Sequence, residues 1–392
     1  MLIKGVKYKE KEQILGSALI RARPLISRDS FTGSAPAPFV GRFGYPFVNV
    51  GILAPPEHDD SAWMYDAPRH WAQTNTNIRE VVDFRTRMIN SRFTADVKHP
   101  GKLVEIAQDV AMSSRPVDID VSLEKKPSLN ISTDQWVAPM GPQAKLRQLE
   151  LASNPHIHTK VQRVFDDSDL LASDAIIDLY GRFDENALSR MLSVGVFGKA
   201  RKLVPTRWSI TATDDIISKS FLEKVRDQPV GDFEAYFGDY LGNYYLVLFF
   251  PDRWSYELFE MYVKPGILEY STDHEEFQGR KSYAENCVGG YYTVRSALAE
   301  HMFNRKRQNT ALVLRFITDD YVLPLGVWVT REAVRKALLN RPIRFGSKEL
   351  MLNYARQLAR KKFGLDIDPI LKKSKILKEK QKTLLESAVD YS

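Results

Sequence analysis

The chain reads as an α/β (mixed α+β) protein: a mixed sheet flanked by helices, then a helix-rich C-terminal region and a basic tail. Three observations predict this. The run YYLVLFF at 244–250 has strand length, is apolar at every position and stops at Pro251, the pattern of a strand buried on both faces. Apolar stripes at helical spacing lie on either side of it, at Val81, Phe84 and Met88 and at Leu350, Tyr354 and Leu358. A chain of 392 residues that is 44% hydrophobic and 27% charged has ordinary globular composition and exceeds one typical domain.

In chain order, FTGSAPAPFVGRFGYP (31–46) reads as an ordered, turn-rich loop, followed by the strand FVNVGIL. Asn77 and Glu80 have capping-box spacing, and Val104, Ala107 and Ala111 share a stripe over Leu103–Ala111. KLRQLELA (145–152), LLASDAIIDLY (170–180) and ENALSRMLSV (185–194) read as helices, the last capped by Asp184. Beyond Gly266, YYTVRSALAEHMF predicts a helix, and ALVLRFI (311–317) and VLPLGVWV (322–329) predict strands. TREAVRKALL and KELMLNYARQLARKK are further helices, with Gly364 as the stop. A soft boundary near 270 divides the chain into 1–270, 271–365 and a basic tail, 366–392. No internal repeat is present.

No segment approaches the roughly 20 apolar residues that cross a bilayer. The basic N-terminus, MLIKGVKYKEKEQ, lacks the apolar core of a secretory signal, so a cytoplasmic protein is expected. Cys287 is the single cysteine, which excludes an intrachain disulfide and a multi-cysteine zinc site. A buried structural thiol is its expected role. Of the net charge of +7, residues 360–382 carry a surplus of six, nine Lys or Arg against three Asp or Glu. The rest of the chain is close to neutral, which predicts a modest binding patch on the body and a cationic extension.

Polar groups concentrate in LVPTRWSITATDD (203–215). Read with period 2, Trp208, Ile210 and Ala212 occupy one side of a strand, and Arg207, Ser209, Thr211 and Thr213 the other. Asp214 and Asp215 follow, either as a helix cap or as carboxylates of a site. Ile217, Phe221 and Val225 then fit a helical stripe. Just upstream, Lys199, Arg201 and Lys202 form a basic cluster, either phosphate-binding or a solvated helix end. HMFNRKRQN (301–309) admits the same two readings. In FVGRFGYP, Gly41 and Gly44 allow close backbone approach to a phosphate, with Arg42 in charge-assisted contact and Phe43 or Tyr45 stacking on a base. A tight turn whose aromatics complete the core is the alternative. Glu275, Glu276, Arg280 and Lys281 lie near a helix carrying Arg295 and Glu300. These carboxylates, with Asp214 and Asp215, are candidates to hold Mg²⁺ or Mn²⁺, or form a solvated surface. His156 and His158 lack a third ligand and are assigned to surface or core. There is no GxxxxGK[ST] and no HExxH motif, which argues against a P-loop ATPase and a zincin protease.

Three stretches carry a family resemblance. LVPTRWSITATDD, FVGRFGYPFVNVGILAPP (39–56), and GRKSYAENCVGGYYTVRSALAEHM with YVLPLGVWVTRE (within 279–332) resemble, in order, signatures of the archaeal Nre family. The resemblance covers most of the chain from Phe39 onward. It implies a role in DNA repair more than it implies a reaction. Many members begin with a cysteine-rich zinc module; this N-terminus has none, so no function of that module is carried over. Members commonly end in a motif that docks on the archaeal sliding clamp, and here Gln381, Leu384 and Leu385 match its opening. Ser387 and Ala388 stand where aromatics are expected, which removes large anchors from such a contact.

The resulting expectation is a protein that binds DNA or a repair intermediate through Arg42, Lys199, Lys202 and Arg207. If it is an enzyme, metal-dependent phosphodiester cleavage by Asp214 and Asp215 is the reaction to test. Arg42, Arg207 and Asp214 are expected to line a common pocket. A non-enzymatic adaptor recruited to the sliding clamp is the rival reading, and action on nucleotides or modified bases is a further enzymatic one.

Overall fold

A computed structural model describes residues 2–98, 101–129, 139–264 and 268–378. The apolar run at 244–250 is a strand whose alternate side chains enter two different cores. Tyr245, Val247 and Phe249 face one, and Leu246, Leu248 and Phe250 the other.

The chain opens with α1 (Leu2–Ala22), β1 (Ser30–Ala35), β2 (Ala37–Val40) and β3 (Phe47–Ala54). Next come α2 (Pro68–Gln73), α3 (Ile78–Thr86), β4 (Ile89–Asp96), α4 (Lys102–Met112), β5 (Val117–Leu123) and β6 (Gln143–Leu151). Four helices follow: α5 (Thr159–Asp166), α6 (Ala172–Leu179), α7 (Glu185–Ser193) and α8 (Thr206–Val225). The remainder is β7 (Phe233–Tyr240), β8 (Asn243–Phe250), β9 (Ser255–Tyr262), β10 (Tyr270–Glu275), α9 (Val288–Arg305) and β11 (Thr310–Ile317). It ends with α10 (Trp328–Leu339), β12 (Ile343–Phe345), α11 (Lys348–Phe363) and α12 (Asp368–Lys373).

The strands form two six-stranded mixed sheets, ordered β1-β5-β6-β4-β3-β2 and β10-β9-β11-β8-β7-β12. Each has one parallel pair, β4 with β6 and β9 with β11. The first sheet buries Val48, Val50 and Ile52 of β3 against α4 to α7. The second is covered on one face by α9 and α10 and on the other by α11 and α12. Helix α8 serves both cores, with Ile217 in the first and Leu222 and Val225 in the second. The boundary near 270 falls between β9 and β10, which pair along their length.

Most expected elements are present, including the Asn77–Glu80 capping box, the Asp184 cap and the left-handed Gly364 stop. Four expectations are corrected. The signature 203–215 is not a strand; from Thr206 it is helical. Its buried face runs Ser209, Thr213, Ile217, so the apolar stripe continues upstream in hydroxyl residues that apolar periodicity does not register. Ser209, Thr211 and Ser218 return their hydroxyls to carbonyls of the preceding turn, which lets a helix bury them. Second, KLRQLELA is strand β6. Its pairing with β5 shifts register between Ser122/Gln148 and Leu123/Leu146, and this bulge turns Leu146 and Leu149 to the same core at a helix-like spacing of three. Third, 322–327 is a loop with Leu323 and Leu325 buried, and Trp328 opens α10. Fourth, the basic segment is no extension as far as Lys378. Leu365, Ile367, Ile370, Leu371 and Ile376 join the core beneath α11 and α12.

Candidate nucleic-acid interface

The loop between β2 and β3 is closed by two backbone bonds, Gly41 N–H to Asn49 O and Phe47 N–H to Gly44 O, both 2.8 Å. Gly44 has φ +87°, where a Cβ would lie 2.6 Å from the Phe47 carbonyl oxygen, so the turn needs glycine. With the backbone so folded, the side chains point outward. Phe43 is 74% exposed, Tyr45 55% and Phe47 57%, and the Arg42 guanidinium lies 4.8 Å from the Phe43 ring centre.

Helix α8 begins against this loop. The Val40 N–H donates to Thr206 Oγ1 at 2.8 Å, and the Tyr45 and Trp208 rings are 6.3 Å apart. Leu203 N–H reaches Val97 O, and Val97 N–H reaches Pro46 O, tying the 199–205 segment to the same place. Arg42 and Arg207 therefore share one exposed surface, with Lys199 and Lys202 exposed on the adjoining loop. Trp208, which the sequence reading placed on an apolar strand face, is half exposed here.

Asp214 does not join them. It lies seven residues, about 10 Å, further along the helix, and is fully buried. Arg331 of α10 donates to both its oxygens, at 2.9 and 2.6 Å. Burial opposes the charge on Arg331, but Asp214 and Glu185 outweigh it and hold its pKa above the usual arginine value. Asp215 turns to other partners, Arg295 of α9 and Lys219 at 2.7 Å. Arg295 also binds Glu275 at 2.8 Å, and Trp254 and Tyr291 donate to that carboxylate. Asp215 and Glu275 thus converge, as the sequence grouping suggested, but on a guanidinium. Among the described residues no group of three or more His, Cys, Asp or Glu has metal-holding geometry.

A second buried network adjoins the first. Arg335 is bound by Glu185, Glu300 (2.9 Å) and Glu332 (3.0 Å), and Tyr180 donates to Glu185 and Glu300. Burial would raise the Glu185 carboxyl, but Arg335 and Arg331 hold it well below the usual carboxylate range. The sequence reading missed these arginines; their i, i+4 spacing on an otherwise core-facing helix is the signal that was available.

The remaining candidates are structural. His158 Nδ1 accepts from Lys160 N–H and caps α5, while His156 is exposed. Arg305 of the 301–309 cluster binds Glu234, and Arg280 binds Asp273 at 3.0 Å. Cys287 is buried, and burial pushes its thiol pKa up, as expected of a structural cysteine. A hollow of about 370 Å³ over β1, β5 and β6 contains none of the signature residues, and its Asp120 and Glu150 disfavour phosphate. Gln381, Leu384 and Leu385 lie outside the described residues.

Fold and surface together define an α/β protein of two mixed sheets, with a basic, aromatic surface beside a helix core held by buried ion pairs. Residues 15–268 match the family described as archaeal Nre, N-terminal, and residues 275–387 match archaeal Nre, C-terminal. The chain belongs to the archaeal Nre family. It is 35% identical to DNA repair protein NreA of Haloferax volcanii over 325 residues, 78% of this chain and 77% of that protein. It is 34% identical to DNA repair protein NreB of Archaeoglobus fulgidus over 380 residues, 94% of each. No solved structure matches.

Proposed function

We propose that the chain is a DNA-repair protein of the cytoplasm that contacts DNA where the Arg42 loop meets the start of α8. One observation carries the contact. Val40 and Thr206, 166 residues apart, are joined by a hydrogen bond, and the Tyr45 and Trp208 rings meet, which brings the loop of Arg42 against the helix start that carries Arg207; Lys199 and Lys202 are exposed on the segment leading into it. The similarity to proteins named for DNA repair supplies the process. In this reading the cations take phosphates, a salt-sensitive attraction. Asp214 and Asp215 hold α8 to α10 and α9. A metal-dependent nuclease using them, with Mg²⁺ or Mn²⁺, would first have to give up these ion pairs.

The test is anisotropy titration of labelled DNA with full-length protein across a salt series. Arg42→Ala, Lys202→Ala and Arg207→Ala should each weaken binding and reduce the log–log salt slope by about 0.7–0.9 per lost phosphate contact. Unchanged affinity and slope in all three would overturn the reading.

A second contact, with the sliding clamp, is proposed for the tail, because the family match runs to residue 387 and includes Gln381, Leu384 and Leu385. Calorimetry with the full chain and its Gln381→Ala/Leu384→Ala variant tests it. Equal binding by both would rule the tail out.

A further inference from the structure

We infer that this surface recognises unpaired bases, and that single-stranded DNA is its ligand; the inference rests on the DNA contact proposed above. The first ground is the kind of side chain displayed. Phe43, Tyr45, Phe47 and Trp208 are each at least half exposed, and all lie in or against one short loop. Exposed aromatics packed this closely call for a partner. The cations interleaved with them repel a basic partner and suit a polyanion. A base offers its flat face to an aromatic ring only when it is unstacked, so rings alternating with cations suit a single strand.

The second ground is the surface onto which the loop opens. Alternation along β3 places Phe47, Asn49 and Gly51 on the face away from the α4–α7 core, and Thr94 and Arg92 of β4 stand opposite Asn49 and Gly51. Phe47 and Asn49 are the exposed positions of that face, roughly 7 Å apart along the strand, and beyond them Gly51 is buried. Arg92 is half buried here, with no hydrogen bond or ion pair among the described residues, and burial alone lowers its pKa. Behind it Asn90 is 1% exposed, and neither its amide oxygen nor its nitrogen has a partner among the described residues. A Cβ at Gly51 would lie 1.9 Å from Asn90 Oδ1, so the amide occupies the space over that glycine. The Asn90 amide is sealed beneath that face, whereas a half-buried cation on a face continuous with the aromatic loop is what a phosphate would satisfy.

The third ground is shape. A major groove about 12 Å wide admits a helix or a two-stranded ribbon. Here the β2–β3 hairpin is the edge of a sheet that continues through β4 and β6, about 14 Å across four strands before side chains are added. Such a face lies on a flexible strand and does not enter a duplex groove.

The experiment uses the full chain, a labelled thymidine 20-mer and a duplex of equal length, titrated at matched salt. The single strand should bind at least tenfold more tightly and quench tryptophan emission, with much of the quench lost in Trp208→Phe. Tyr45→Ala and Phe43→Ala, at exposed positions, should weaken single-strand binding by about 5- to 150-fold per lost stack and leave duplex binding within twofold. Arg92→Gln should weaken single-strand binding with an unchanged melting temperature. Duplex binding as tight as single-strand binding and insensitive to Tyr45→Ala would overturn the inference, while its loss in Arg42→Ala/Arg207→Ala would still uphold the DNA contact. Binding to neither nucleic acid would overturn both.

Discussion

Arg331 closes both oxygens of Asp214, at 2.9 and 2.6 Å, across 117 residues of chain. The pair joins α8, which reaches both cores, to α10 of the second sheet. A signature that reads in sequence as surface chemistry is, at this position, a fastening between helices.

Breaking that pair should be costly. Asp214→Ala leaves Arg331 buried without its partner, and loss of one member of a buried ion pair costs about 3–5 kcal/mol. Joint replacement, Asp214→Leu with Arg331→Met, should cost much less. Urea unfolding of the three proteins checks this, and a single variant as stable as the wild type would refute the fastening role.

Glu185 should make the fold acid-sensitive. Its folded pKa is held below the ordinary 4.5, so the unfolded chain takes up this proton first. The contribution is fully present above about pH 4.5 and is lost as pH falls through the depressed folded value. Melting temperatures of the wild type and Glu185→Gln should therefore differ at pH 7 and draw together as pH falls below 4.5.

His301 acts in a neighbouring pH window. Burial is the first cause that lowers its pKa, from 6.5 to about 4, with Arg305 adding to it. Its ring stacks on Phe249 and meets Tyr236 edge-on, and its Nε2 has no partner among the described residues. Between pH 6.5 and 4 the unfolded chain binds the proton and the folded chain resists it, so stability falls on acidification. His301→Phe keeps the ring packing and should flatten the melting profile over that window. An identical profile would show that folding does not shift the histidine's pKa.

Truncation should depend sharply on where the chain is cut. Ending it after Lys378 removes Gln381, Leu384 and Leu385 and keeps Ser374, whose hydroxyl donates to buried Glu257 at 2.6 Å with help from the Lys375 N–H. Ending it at Arg360 strips Leu365, Ile367, Ile370 and Leu371 from the second core and orphans Glu257. The shorter cut should leave the melting temperature within a few degrees. The longer one should unfold the protein, and circular dichroism distinguishes them.

Elements whose burial follows simple periodicity were legible in the sequence: the doubly buried run at 244–250, the Asn77 capping box, the Gly364 stop. Where small hydroxyl residues make the buried face, as at Ser209 and Thr213, apolar alternation pointed to the wrong element. A bulge did the same for Leu146 and Leu149. The meeting of the Arg42 loop with α8 follows from two long-range contacts that no local pattern encodes. Arg42 and Arg207 were nonetheless identifiable as charged residues beside glycine and aromatic signals. Arg92 was not, because a lone arginine in an alternating strand carries no mark until Gly51 is found opposite it.

The position of β11 has a consequence for any attempt to separate the two matched segments. It lies between β8 and β9, pairing with both along its full length. The two neighbours belong to the segment that matches the N-terminal family description, and β11 to the segment that matches the C-terminal one. A 1–270 fragment would carry two strands with a vacancy between them, each edge offering unmet backbone donors and acceptors. The two segments are thus interlocked like clasped fingers. Neither segment completes the second sheet without the other.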